Sequence, residues 1–167
     1  QLNDFFKYQY QYVRNGMQVN EGPSVLSNDS IGDPVFSDIG YFSGISETDW
    51  SWSVLISDFD NDGFKDIHIT NGLGRDPTNI DFLEYRHNTV MQTGIPDNDP
   101  RQQKKLREQL DALGSLSLRN YLFLNKGGLI FEDVSEKAGI NQTSISNGAV
   151  YTDLDNDGDL DIITNNI

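Results

Sequence analysis

Two short stretches of this chain concentrate side chains that could do chemistry. "DFDNDGFKD" occupies 58–66 and "DLDNDGDLD" occupies 153–161. Counted as nine positions, each places aspartate at 1, 3, 5 and 9: Asp58, Asp60, Asp62 and Asp66, then Asp153, Asp155, Asp157 and Asp161. Four carboxylates this close repel one another unless a cation lies among them. Position 7, Phe64 in one loop and Asp159 in the other, can add a backbone carbonyl. This is the ligand rhythm of an oxygen-only calcium loop. Gly63 and Gly158 at position 6 suit the sharp turn that such a loop makes. Hard oxygen donors favour Ca²⁺ over zinc or copper. Mg²⁺ suits the set less, because it demands octahedral geometry and keeps several waters. The expected metal residues are therefore Asp58, Asp60, Asp62, Phe64 and Asp66 at one site, and Asp153, Asp155, Asp157, Asp159 and Asp161 at a second.

The loops are not EF-hands. Position 12 should carry a bidentate glutamate, and it is Ile69 in one loop and Thr164 in the other. The flanking residues are β-formers rather than helix-formers. A dockerin pair would stand closer together, with helices after each loop.

No other chemistry is singled out. The two histidines, His68 and His87, have no visible catalytic partner. His68 stands in a β run beside the first loop and reads as structural. Asp81, Glu84 and Arg86 could be assembled into a polar site, yet nothing distinguishes them. There is no cysteine nucleophile, no glycine-rich phosphate loop and no Ser/His/Asp set. A polysaccharide-acting enzyme with carboxylate acid/base chemistry is the weaker alternative; the expectation is a chain with no catalytic residue.

The totals agree. The chain has 167 residues, 36% of them apolar and 11% aromatic, enough for a packed core and too aromatic for an acidic tail. A formal charge of −14 excludes a nucleic-acid binder and docking on anionic lipid. Eight of the 26 acidic residues lie in the two loops, and two divalent cations would bring −14 to −10. The absence of cysteine removes disulfides and thiolate metal sites. No signal peptide, lipidation motif or transmembrane run is visible. A chain that opens on Gln1 and stops within "DLDIITNNI" reads as a mature form or a fragment.

An internal repeat must position the loops. Asp58 and Asp153 are 95 residues apart, and at that offset 35–68 aligns with 130–163 without a gap. Thirteen of those 34 positions are identical, among them Phe36/Phe131, Asp38/Asp133, Gly44/Gly139, Ile45/Ile140, Thr48/Thr143 and Ser51/Ser146. Upstream, "RNGMQVN" at 14–20 matches "RNYLFLN" at 119–125 at an offset of 105. The first copy thus carries about ten extra residues, and the turn-rich "EGPSVLSNDSIGDP" reads as a longer surface loop. Each copy gives a short apolar segment, an alternating run, a β-rich run, the acidic loop and another β run. Short strands punctuated by turns and repeated predict small antiparallel sheets.

Residues 76–118 interrupt the repeat. Leu106, Leu110 and Leu113 have helical spacing, Asp99-Pro100 fits a helix start and Gly114 a stop. This is a helical insertion, either a surface cover or a partner-binding helix. The expected organisation is a first repeat region over 1–75, the insertion over 76–118 and a second repeat region over 119–167. Tyr8, Tyr10 and Tyr12 share one strand face, as do Trp50 and Trp52; each pair or stripe is packing surface or a platform for sugars.

The loop pattern Asp-x-Asp-x-Asp-Gly-aromatic-x-Asp between two strands resembles the FG-GAP/VCBS repeat, the blade unit of integrin-α-like β-propellers. The second loop departs only at Asp159, where the aromatic would stand. "RNYLFLNKGGLIFEDVSEKAGI" and "NGAVYTDLDNDGDLDIITNNI" are similar to the VCBS-repeat proteins of Bacteroidetes of the cartilage-acidic-protein/ASPIC-UnbV type. The likeness extends from about Arg14 to the end, weakest over the insertion. It implies an all-β fold, a partial β-propeller of two to three antiparallel blades from a ring of about seven. It also implies a calcium-stabilised binding or structural module, extracellular or on the outer-membrane surface of a Gram-negative bacterium. Partners would be a protein or glycan outside the cell, an accessory role in an outer-membrane nutrient-uptake transporter complex among them. From the charge and the lack of a transmembrane run, no nucleic-acid partner and no direct membrane insertion of this segment are expected. "NDSIG" at 28–32 also resembles the short Asp-Ser-aliphatic sequence that Bacteroidetes O-glycosylate, at Ser30.

Overall fold

The structure, a computed structural model, describes residues 14–25, 31–75, 80–94 and 99–167. It is mostly β, built of small antiparallel sheets of which none is closed, with few helices. The first sheet is a hairpin of β1 (Gln18–Val25) and β2 (Ile31–Asp38). A four-residue helical turn, α1 (Gly40–Ser43), follows it.

The central sheet has four strands in the order β3 (Ser51–Ser57), β4 (Asp66–Asn71), β6 (Tyr121–Asn125) and β7 (Phe131–Asp133), each antiparallel to its neighbour. The insertion leaves between β4 and β6. Its stem is a pair of hydrogen bonds between Leu73 and Leu116, N to O at 3.0 and 2.8 Å. It holds α2 (Ile80–Thr93) and α3 (Pro100–Ala112). β5 (Leu118–Arg119) pairs with β8 (Thr143–Ser144), and β9 (Ser146–Thr152) forms the last hairpin with β10 (Asp161–Asn166).

β4 is buried at every residue, which requires cover on both faces. On one face Ile67 and Ile69 meet Phe123 and Tyr121 in register, and with Ile45 and Phe131 they form the core, with Met17 packed against it. Each such buried side chain contributes roughly 1.5–3 kcal/mol relative to exposure. Residues of opposite parity, Asp66, His68 and Thr70, point the other way, and β9 packs across β3 and β4. Phe59 and Tyr151 meet there edge to face, centroids 5.9 Å apart.

Gly72 makes this stacking possible. Its φ is 136°, and a Cβ there would come within 2.5 Å of Ile145 Cα and 2.7 Å of Ser144 O. Only a residue without a side chain lets the end of β4 lie against the start of β9.

Two expectations need correction and one needs enlargement. Within the turn-rich 21–34, residues 21–25 and 31–34 are strand, not loop: they belong to β1 and β2, with Pro23 paired to Pro34 and register shifts on either side. Turn residues survive there because the bulged edge hairpin needs no ladder hydrogen bond from every residue. Trp50 lies outside β3, and both tryptophans are substantially exposed; Trp52 Nε1 donates to Gly72 O. The insertion contains a helix, α2, beyond the one that the leucine spacing predicts. Its asparagine, threonines, histidine and tyrosine are poor helix-formers and hide it. α3 starts as expected: the Asp99 side chain accepts from Arg101 N at 2.8 Å, with proline at the first turn. Leu106, Leu110 and Leu113 are half-buried. Tyr8, Tyr10, Tyr12 and Ser30 lie outside the described residues. Among the described residues no helix is long and apolar enough to cross a membrane.

Candidate metal centres

Both acidic loops join the two strands of a hairpin, 58–65 between β3 and β4 and 153–160 between β9 and β10. Their backbones repeat. Asn61 and Asn156 are left-handed at φ 58° and 61°, and Gly63 and Gly158 follow at 92° and 96°. No heavy atom would crowd a Cβ on either glycine, so the turn demands the φ, not the space.

The hydrogen bonds repeat as well. The position-1 carboxylate accepts from the glycine amide, Gly63 N to Asp58 Oδ2 at 2.9 Å and Gly158 N to Asp153 Oδ2 at 3.1 Å. The position-9 carboxylate accepts from position 2, Phe59 N to Asp66 Oδ2 at 2.8 Å and Leu154 N to Asp161 Oδ2 at 3.0 Å. These bonds aim side chains inward from loops that otherwise lie in solvent. In each loop three carboxylates present oxygens within 4.8 Å of one another: Asp58, Asp60 and Asp66, and Asp153, Asp155 and Asp161. Either cluster could hold a metal ion.

The position-5 carboxylates stand differently. Asp62 Oδ1 accepts from Phe64 N at 2.8 Å, and Asp157 Oδ1 from Asp159 N at 2.9 Å. They bind their own turns and are not gathered with the other three. Phe64 and Asp159 occupy the carbonyl position in the same turns.

Two observations test the fit to a cation. Asp153 Oδ1 is buried and has no hydrogen-bond partner, a costly arrangement for a carboxylate oxygen that nothing coordinates. Asp60's carboxyl is pushed above its ordinary value by desolvation and then by the neighbouring carboxylates of Asp66 and Asp62. A divalent ion would relieve both. The donor set is all oxygen and fits a hard cation.

The loops are not equally finished. Asp66 is fully buried, and its Oδ1 also accepts from the backbone amide of Asn125 at 2.9 Å, at the end of β6. Asn125 Nδ2 reaches Lys65 O at 3.2 Å, and its Oδ1 accepts from Gly127 N. Asp161 is exposed, and among the described residues its hydrogen bond is the one from Leu154. The loops also touch: Asn61 Nδ2 donates to Asp159 Oδ1 at 2.5 Å. Asp159, which breaks the aromatic pattern in the second loop, thus meets the first.

Roles for several repeat identities become visible only here. Arg14 and Arg119 form ion pairs with Asp38 and Asp133 at 2.8 and 2.9 Å. Ser51 Oγ donates to Asn71 Oδ1 at 3.0 Å, and Ser146 Oγ to Asn166 Oδ1 at 2.6 Å. Asn120 joins successive hairpins, accepting from Asn71 N and donating to Ser146 Oγ. The recurrence of Arg-Asn, Asp and Ser at fixed offsets carries this signal in the sequence, although it does not say which residues pair.

His68 is 2% exposed and neither ring nitrogen has a hydrogen-bond partner. Burial holds its imidazole below the ordinary value; the Tyr121 backbone opposes the shift without reaching hydrogen-bond geometry. His87 and Glu84 are exposed on α2, as is Arg86, which has contacts of its own. No protein-family model matches this chain, and no curated protein matches it in sequence.

Proposed function

We propose that this chain is a calcium-stabilised segment of a β-propeller of the FG-GAP/VCBS type, acting outside the cell as a structural and binding module. The observation that carries the reading is the repeated loop. Two hairpins of different sheets share the left-handed asparagine and glycine, the same two carboxylate–amide bonds and the same three converging carboxylates. One acidic hairpin tip is a solvated turn; two built alike, one of them with the unpartnered Asp153 Oδ1, serve a common ligand.

The ligand is Ca²⁺, for which Asp58, Asp60, Asp66 and their counterparts supply carboxylates, Asp62 and Asp157 a fourth acidic group, and Phe64 and Asp159 a carbonyl. Its work is mechanical. A bound cation cancels the repulsion within the hairpin tip and fixes the ends of the two strands, so that adjoining loops keep their shape for a protein or glycan partner. The blade reading is supported by the four-strand order β3-β4-β6-β7 and by the stacking of β9 on its face.

Thermal unfolding tests the reading. Chelation lowers the melting temperature and added Ca²⁺ restores it, with about 2.7 kcal/mol gained per site at a hundredfold excess over Kd. A melting temperature that ignores both would remove calcium from the account.

A further inference from the structure

We propose that residues 46–50 form a binding site for a neutral oligosaccharide, with Trp50 as the stacking face and Glu47 and Asp49 as acceptors for sugar hydroxyls. A glycan partner rests on the extracellular module proposed above, of which it is one case, but it does not need the metal.

The second copy of the repeat shows what the scaffold itself requires here. At the offset of 95, Thr48 and Ser51 recur as Thr143 and Ser146. Their role is structural: Thr48 is buried, its Oγ1 accepts from Asn15 Nδ2, and it lies 2.7 Å from Ser51 Oγ. The residues among them diverge. Glu47 stands against Gln142, Asp49 against Ser144 and Trp50 against Ile145. One copy thus folds this segment with neither an acid nor an aromatic ring, and the fold does not explain their presence in the other. The backbone diverges at the same point. Asp49 is left-handed at φ 57°, whereas Ser144 lies in β8. Such conformations are uncommon outside glycine and collect at binding sites.

Two cavities flank the segment. One, of about 330 Å³, is lined by Glu47, Asp49, Trp50 and Arg14 among others. The other, of about 460 Å³, is lined by Glu47, Asp49, Arg119 and Tyr121 among others. They share Ser46, Glu47 and Asp49 and so lie side by side. Each falls in the range of roughly 300–1,000 Å³ usual for small-ligand sites. Their adjacency suits a chain of sugar rings rather than a single one.

The chemistry fits a polyhydroxyl ligand. Trp52 ties its Nε1 to Gly72 O, but Trp50 Nε1 has no such bond among the described residues, and the ring is 38% exposed. The Trp50 backbone is fixed, because its carbonyl accepts from Gly72 N at 3.3 Å. A held, partly open indole can stack on the C–H face of a pyranose. Glu47 is exposed and, among the described residues, has no hydrogen bond or ion pair. Asp49 is held by Tyr121 OH, which donates to its Oδ2 at 3.1 Å and leaves Oδ1 to a ligand. A carboxylate can accept from two neighbouring hydroxyls at once. Arg14 and Arg119, paired with Asp38 and Asp133, add donors beside these acceptors. A neutral sugar uses both kinds of group, whereas an anionic one meets the two unpaired carboxylates. A cation would want several free rings around it, and Arg119 already covers Tyr121 at 4.3 Å from its centroid.

The test is retention of the intact chain on immobilised neutral oligosaccharides of gluco, manno, galacto and xylo form. Polygalacturonate and a chitosan oligosaccharide serve as the acidic and cationic probes. At least one neutral sugar is expected to bind, more tightly than either charged probe. Glu47→Gln and Trp50→Ile write the second copy's own residues into the first, and circular dichroism checks that each variant is folded. Each is expected to weaken binding by at least about tenfold. The rise of melting temperature with Ca²⁺ is read on the same samples; its absence would strike the calcium reading and leave sugar retention as the separate measure of this site. Failure of every neutral sugar to bind, tighter binding of a charged probe, or binding that survives both substitutions would each overturn the proposal.

Discussion

The backbone amide of Asn125 donates to Asp66 Oδ1 at 2.9 Å and so ties the last carboxylate of the first acidic loop to a strand 59 residues further along. Asp161, in the matching position of the second loop, has no such strand beside it among the described residues. A carboxylate already oriented loses less freedom when it coordinates. The first loop is therefore expected to bind Ca²⁺ more tightly than the second. Asn125→Ala keeps the amide but removes the side chain that anchors it to Lys65 and Gly127. Calorimetry should show affinity at the tight site falling by about tenfold, with the weak site unchanged.

Single ligand losses should be local. Asp60→Ala and Asp155→Ala each remove one of three converging carboxylates from one loop. Each is expected to weaken its own site by at least about tenfold and the other only slightly. The small cross-effect runs through the Asn61–Asp159 hydrogen bond, and Asn61→Ala should abolish it. Equal weakening of both sites by either aspartate change would mean that the loops do not bind independently.

Much of this arrangement was legible in the sequence because it is local. Aspartates at fixed spacing around a glycine describe a turn whose ligands lie within nine residues, and the structure gathers three of the four as that spacing requires. The helix start at Asp99-Pro100 is local in the same way. What the spacing does not reveal is who finishes the site. Asn125 reaches Asp66 only after the insertion has returned the chain to β4, and Asp159 meets Asn61 only because two hairpins stack. Strand pairing of 21–25 with 31–34 was hidden for a different reason: two prolines and two glycines weigh toward loop, and cross-strand pairing overrides them.

Gly72 is the most constrained point of the stacking. Gly72→Ala combines an unfavourable φ of 136° with a Cβ only 2.5 Å from Ile145 Cα. The backbone strain alone costs about 1–3 kcal/mol, and the steric contact adds to it. Urea unfolding should show a clear fall in midpoint. A variant as stable as the wild type would show that β4 and β9 do not approach as described.

His68 should make stability depend on pH. Burial lowers its imidazole below the ordinary value, so the folded chain keeps it neutral where the unfolded chain takes up a proton. The unfolded state then binds more protons as pH falls through roughly 6.5, and stability falls with it, by at most about 1.4 kcal/mol per pH unit. Above that value the effect is absent. His68→Ile copies the residue that the repeat itself uses at Ile163 and leaves no unpaired ring nitrogen. The variant is expected to be more stable, and the difference between variant and wild type to grow as pH is lowered. A difference that stays constant with pH would mean that His68 takes up its proton equally readily in the folded and the unfolded chain.

The most direct measurement is isothermal titration of the metal-free chain with Ca²⁺. The account predicts two bound ions per chain with unequal affinities, reduced to one by Asp60→Ala or by Asp155→Ala when the weakened site drops out of range. Absence of heat and of bound calcium in the folded, metal-free chain would contradict it.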